Sequence, residues 1–185
     1  MTVRYLVRQR ITLMVNRYEV WRADEGWNPV EQLAFAQQKR GRLREEVPFY
    51  TDESKTHVRF TLQARNILDV NSVVDVRDEA AAVVGGFRKD FRRSLLVTTW
   101  YMEQEGLPRV LGQETSTLYA VLRRIGFDLL PYDFLFATED AGSPVMTIVR
   151  KWGVRDTYRV TVEDDRYDPR LIHAVAVGLD ALQNR

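Results

Sequence analysis

Two histidines and no cysteine make up the chain's whole stock of the residues on which most hydrolytic, redox and metal chemistry depends. His57 falls in an alternating apolar and polar run and His173 in an apolar stretch near the end. Neither has an Asp or Glu at a spacing that ties it to a nucleophile or a metal. The missing cysteines remove disulfides, thiolate ligands and thiol nucleophiles together. Gly85-Gly86 leads into a strand-like run, so it cannot cradle a phosphate at a helix start, and there is no Gly-x-Ser-x-Gly, P-loop or dinucleotide fingerprint. The acidic run Glu163, Asp164, Asp165 and Asp168 lacks EF-hand spacing and reads as a turn followed by a helix cap. No catalytic residue, no metal site and no cofactor is expected, and a binding role is favoured over an enzymatic one.

Binding chemistry is better represented. Arg88, Lys89, Arg92 and Arg93 surround Phe91 and precede Leu95 and Leu96. A basic loop with apolar residues at its tip attracts anionic lipid headgroups at about 1 kcal/mol per basic residue, and the apolar residues enter the interface. The competing reading is a solvated connection whose Phe91, Leu95 and Leu96 pack inward. Lys39, Arg40 and Arg42, continued by Arg44, form a secondary basic patch, and Arg123 with Arg124 a third. Nucleic acid is the rival anion, but the aromatics sit at alternating core positions without a stacking platform, which ranks it below lipid. The formal net charge of +1 also argues against a bulk polyanion. A peripheral contact with anionic membrane lipid or an unidentified protein partner is the expectation.

The elements that must hold these residues begin with the last one. Asp168-Pro169 is a helix start, with Asp168 capping and Pro169 in the first turn. From Leu171 to Leu182 the apolar residues, among them Leu171, Ile172, Val175 and Leu179, cover nearly the whole circumference, as in a helix buried on all sides. It falls short of the ~20 apolar residues of a membrane span, so it is expected inside the protein's own fold as a structural central helix, with no transmembrane segment. Arginines interrupt the apolar residues of the N-terminus, which therefore lacks a signal-peptide core, and a cytoplasmic location, peripheral at the membrane, is the default.

Upstream, strand follows strand. Val3 to Arg10 alternates; after a turn at Asn16, Tyr18 to Arg22 and the run through Leu33, Phe35 and Gln37 form a hairpin around Gly26. Leu43 to Tyr50 and His57 to Ala64 form the next pair, and in the second Val58, Phe60, Leu62 and Ala64 face one way and Arg59, Thr61, Gln63 and Arg65 the other. Further runs are Val73 to Arg77, Val83 to Lys89, Trp100 to Glu103, Arg109 to Glu114, Tyr132 to Ala137, Val145 to Lys151 and Asp156 to Glu163. The recurring unit is an aromatic-rich strand, an acidic turn with Gly, and an apolar strand often ending in Arg-Lys. Gly85-Gly86 marks a bulge or a close backbone approach. Ser116 to Gly126 has the cap, the Gly stop and the apolar stripe of one amphipathic helix. No linker interrupts this pattern, so one domain over residues 1–185 is expected.

The runs amount to about twelve strands. A closed barrel of that size has more room than its own side chains fill, and a helix 10–12 Å across is a suitable filler. The expected fold is mainly β, α+β by strict counting: an antiparallel barrel of about twelve strands around the C-terminal helix. The alternative is a two-sheet sandwich with that helix on an open end. The hairpin meander, the Arg-Lys strand ends, the segment Lys89 to Trp100 and the final Asp168 to Leu182 resemble the LURP-one-related family, part of the tubby C-terminal and phospholipid-scramblase-like superfamily. The resemblance implies a twelve-stranded, tubby-like barrel closed around a hydrophobic helix. It also implies membrane-associated binding, since some tubby relatives hold phosphoinositides through basic residues on the barrel wall.

Overall fold

The computed structural model describes residues 2–11, 15–39, 46–66, 73–90, 98–114, 133–151 and 157–183. Twelve strands follow in chain order: β1 (Val3–Ile11), β2 (Val15–Ala23), β3 (Pro29–Lys39), β4 (Glu46–Tyr50), β5 (Val58–Ala64), β6 (Val74–Asp78), β7 (Val83–Asp90), β8 (Thr99–Glu103), β9 (Val110–Glu114), β10 (Asp133–Thr138), β11 (Pro144–Lys151) and β12 (Thr157–Val162). A helix, α1 (Pro169–Gln183), ends the order. Each strand pairs antiparallel with the next, and β12 returns to β1 with Val3 opposite Val162 and Arg8 opposite Thr157. This pairing closes the barrel and rules out the sandwich. Closure leaves no sheet edge for another chain to extend.

Two local readings are corrected. Asn16 lies within β2, opposite Ile11 on one side and Gln38 on the other, because the ladder on both flanks outweighs asparagine's turn preference. Val58 does not share the face of Phe60 and Leu62: it is 39% exposed, whereas they are buried. The register steps from Phe49 opposite Phe60 to Tyr50 opposite Val58, so Arg59 is bulged and the alternation reverses there. Arg59 uses the bulge to donate from Nη1 to the Leu33 carbonyl at 2.7 Å. The Ser116–Gly126 helix lies outside the described residues.

Inward-facing residues from every strand join α1 in one buried cluster, and Leu171 to Leu179 of the helix are all buried. Phe49 stacks on Phe60 at 4.4 Å between ring centroids, and Phe87 tilts against Trp100 at 6.3 Å. The helix approaches β7 closely through two glycines. A Cβ at Gly85 would stand 2.8 Å from Leu171 Cδ2 and 2.6 Å from the Glu103 carbonyl oxygen, and one at Gly178 would stand 2.5 Å from the Phe87 ring. The register step that displaces Val84 lies beside Gly85, so that position is both bulge and close approach.

The helix entry is anchored to the sheet. Asp168 Oδ1 accepts the Arg170 backbone N–H at 2.8 Å, and its carboxylate also holds the Arg170 guanidinium at 2.7 and 3.0 Å. Asp168 N–H donates to Gln104 Oε1 at 2.8 Å, and Tyr167 OH to the Pro108 carbonyl at 2.7 Å, which ties the cap to the β8–β9 hairpin. Burial raises the Asp168 carboxyl, but its bonds to Arg170 outweigh that and leave its pKa below the ordinary value.

Candidate functional site

The barrel interior has the character of a core. His173 is 5% exposed, and its ring meets the edge of Tyr5 at 4.5 Å between centroids. Burial, with Arg59 assisting and Asp168 opposing, lowers its pKa from 6.5 to about 3, so it is a neutral core group at physiological pH. His57 is exposed in the β4–β5 turn. Among the described residues, no group of three or more His, Cys, Asp or Glu could hold a metal ion. No described helix is long and apolar enough to cross a membrane. The exterior is therefore where recognition chemistry must be sought.

The antiparallel order gives the barrel two rims of different character. Every second connection lies at one rim: the turns after β2, β4, β6, β8 and β10, and the segment from β12 to α1. These carry Asp24, Glu25, Asp52, Glu53, Glu79, Glu105, Glu139, Asp140, Glu163, Asp164, Asp165 and Asp168, against Lys55, Arg109 and Arg166. Hydrogen bonds from Asn28, Ser54, Thr138 and Arg166 lower the pKa values of Asp24, Asp52, Asp140 and Asp164 respectively. This rim accordingly stays negative well into the acid range.

At the opposite rim, β1, β3, β7 and β11 all finish, and they finish in base-rich sequence. Lys39 ends β3, Arg88 and Lys89 lie in the last turn-ward residues of β7, and Arg150 and Lys151 end β11. Arg88 and Lys89 belong to β7, as the run Val83 to Lys89 predicts, so the described part of the cationic cluster is strand and not loop. The fold brings the β3 and β7 clusters to one rim, though Lys39 and Arg88 are far apart in sequence. The remaining members, Arg40, Arg42, Arg44, Arg92, Arg93, Arg123 and Arg124, with Phe91, Leu95 and Leu96, lie outside the described residues. Arg150 and Lys151 share this rim but are not among the candidates read from the sequence, although the recurrent Arg-Lys strand ending is a signal that points to them. The described carboxylates toward this rim are Glu46, Asp75, Asp90, Glu114 and Asp133, of which Asp75 and Glu114 are buried.

A second feature lies on the outer wall across β6 to β9. An open groove of about 380 Å³ runs over Gly86, bordered by Arg65, Arg88, Tyr101, Glu103 and Arg109. Arg88 Cζ sits 4.6 Å from the Tyr101 ring centroid and Arg109 Cζ 5.1 Å from it. Arg65 donates from Nε to Asp75 Oδ1 at 2.9 Å, and Arg77 Nη2 is 3.6 Å from Asp75 Oδ2. These two guanidiniums neutralise a carboxylate that is otherwise sealed off, Asp75 being 5% exposed. Arg109 donates to Glu139 at 2.6 Å. The sequence marked Arg88 alone among these groups, because they lie on separate strands and only the register aligns them.

A family model described as LURP-one-related matches residues 33–180, a stretch that begins within β3 and runs into α1. No curated protein and no solved structure matches the chain.

Proposed function

We propose, because this chain belongs to the LURP-one-related family, that it is a non-enzymatic, tubby-like binding module that settles on anionic membrane surfaces through its basic rim. The observation that carries this reading is that basic strand ends distant in sequence, Lys39 of β3 and Arg88 and Lys89 of β7, lie at the same rim, opposite the acidic hairpins. The interior is filled by α1, so recognition falls to the outside. The charge separation also orients the molecule: the field of an anionic surface attracts one rim and repels the other. Arg88, Lys89, Arg92 and Arg93 are the principal contacts in this proposal, and Lys39, Arg40 and Arg42 the supporting patch.

Four basic residues at about 1 kcal/mol each give about 4 kcal/mol, equivalent to millimolar binding, so the second patch or Phe91 must assist. Binding is therefore expected to be weak and salt-sensitive, since surface fields decay over about 8–10 Å at physiological salt. In liposome flotation, vesicles rich in anionic lipid should retain the protein, neutral vesicles should not, and a several-fold rise in salt should release it. Replacing Arg88, Lys89, Arg92 and Arg93 together by Ser should abolish retention. Equal retention of the quadruple variant would move the site elsewhere. Failure of the parent to float, with binding to single-stranded RNA at the same salt, would replace lipid by nucleic acid.

A further inference from the structure

We propose that the outer-wall groove over Gly86 binds a small zwitterion, its oxyanion held at the Arg88 and Arg65 end and its ammonium group at the Glu103 and Glu105 end. The register sets the two ends. Arg88 lies opposite Tyr101, and Gly86 lies opposite Glu103. The cationic and anionic levels are therefore two residues apart, about 7 Å at the ~3.4 Å rise of a strand. Arg65 joins the cationic level, because Ala64 is aligned through Val74 and Phe87 with Met102, and Arg65 is one residue further on. Gly86 has no side chain, so backbone forms the floor.

The charge balance selects the ligand class. Arg65 is committed to Asp75 and Arg109 to Glu139. Among the described residues, Arg88 contacts the Tyr101 ring and no carboxylate, which holds its guanidinium in place with donors to spare. At the other end Glu103 pairs loosely with Arg109 at 3.7 Å and also attracts Arg65, while Glu105 is exposed and adds a second carboxylate. A simple anion bound at Arg88 would face both of these carboxylates, and a simple cation bound to them would face Arg88 and Arg109. One ligand carrying both charges satisfies both ends. This assignment goes beyond the membrane-docking reading: it shares Arg88 with that reading but adds Glu103 and Glu105, and it is tested with soluble probes in the absence of vesicles.

The test is a titration of the full chain, followed by NMR, with O-phosphoethanolamine, inorganic phosphate and ethanolamine as separate probes. O-phosphoethanolamine should bind about tenfold or more tightly than either fragment, as it alone makes both charge-assisted contacts. Arg88→Gln should reduce its binding to the level of ethanolamine, and the Glu103→Gln, Glu105→Gln double variant to that of phosphate. Parallel thermal melts confirm that the variants are folded. A short-chain phosphatidylethanolamine below its micellar concentration identifies the source: tighter binding than O-phosphoethanolamine indicates a lipid headgroup, weaker binding a free compound. Inorganic phosphate binding as tightly as O-phosphoethanolamine, binding unchanged in the variants, or no saturable binding would each overturn the proposal, without touching the flotation result.

Discussion

Leu179→Asp is expected to abolish cooperative folding. Leu179 is 1% exposed on the part of α1 that lies inside the barrel. A carboxylate there has no partner and no water, and the cost of burying it is several kcal/mol even after its pKa rises to neutralise it. Net stability of a domain is about 5–15 kcal/mol, so one such change consumes much or all of it. Leu179→Ala separates charge from packing: lost transfer energy and a cavity should cost about 2–5 kcal/mol, leaving a folded protein with a lower melting temperature. Thermal melts followed by circular dichroism check both variants. A Leu179→Asp protein melting with the parent would mean that α1 is not the core of the barrel.

The second large effect is a loss of stability in mild acid that traces to His173. Its pKa is about 3 in the folded protein against 6.5 for a free imidazole. Between those values the unfolded chain binds a proton that the folded protein does not, so stability falls as pH drops below 6.5 and the loss is complete near 3. By pH 5 the loss is about 2 kcal/mol, at 1.36 kcal/mol per pH unit. The sign is the same for Asp168, whose lowered pKa also favours the folded protein at higher pH. Its window lies below the ordinary carboxyl value of 3.8, so above that pH the loss belongs to His173 and not to Asp168. His173→Phe keeps a ring against Tyr5 but cannot take a proton. Whatever its stability at pH 7, its denaturant midpoint should be nearly flat between pH 6.5 and 5, where the parent's declines. An equal decline in both proteins would assign the acid sensitivity to other groups.

Much of this architecture was written in local patterns. Period-two alternation located the strands, acidic turns, several of them with Gly, located the hairpins, and the apolar circumference from Leu171 to Leu182 declared a buried helix. What alternation could not express was a change of phase: the bulge at Arg59 turned Val58 outward, and only the pairing of β4 with β5 reveals it. Asn16 misled for a related reason, since a turn-former placed between two partner strands joins the ladder. Closure was legible only as an argument about strand number, because the contact that makes it, Arg4 opposite Thr161, joins the two ends of the sheet.

The candidate site was legible as clusters and not as a surface. Lys39 and Arg88 could each be singled out, but their common rim follows from the parallel run of β3 and β7, which no local pattern encodes. The groove was harder still, as Arg65, Gly86, Arg88 and Glu103 come together by register alone. Tyr101, read simply as an aromatic strand residue, is the platform on which Arg88 rests.

Hydrogen–deuterium exchange of the protein on and off anionic vesicles tests the docking account most directly. It predicts slowed exchange on vesicles at the strand ends around Lys39, around Arg88 to Asp90 and around Arg150 to Lys151. The acidic hairpins at 24–28, 79–82 and 139–143 should exchange at unchanged rates. Protection of those hairpins, or vesicle binding with no protection at the basic strand ends, would contradict it.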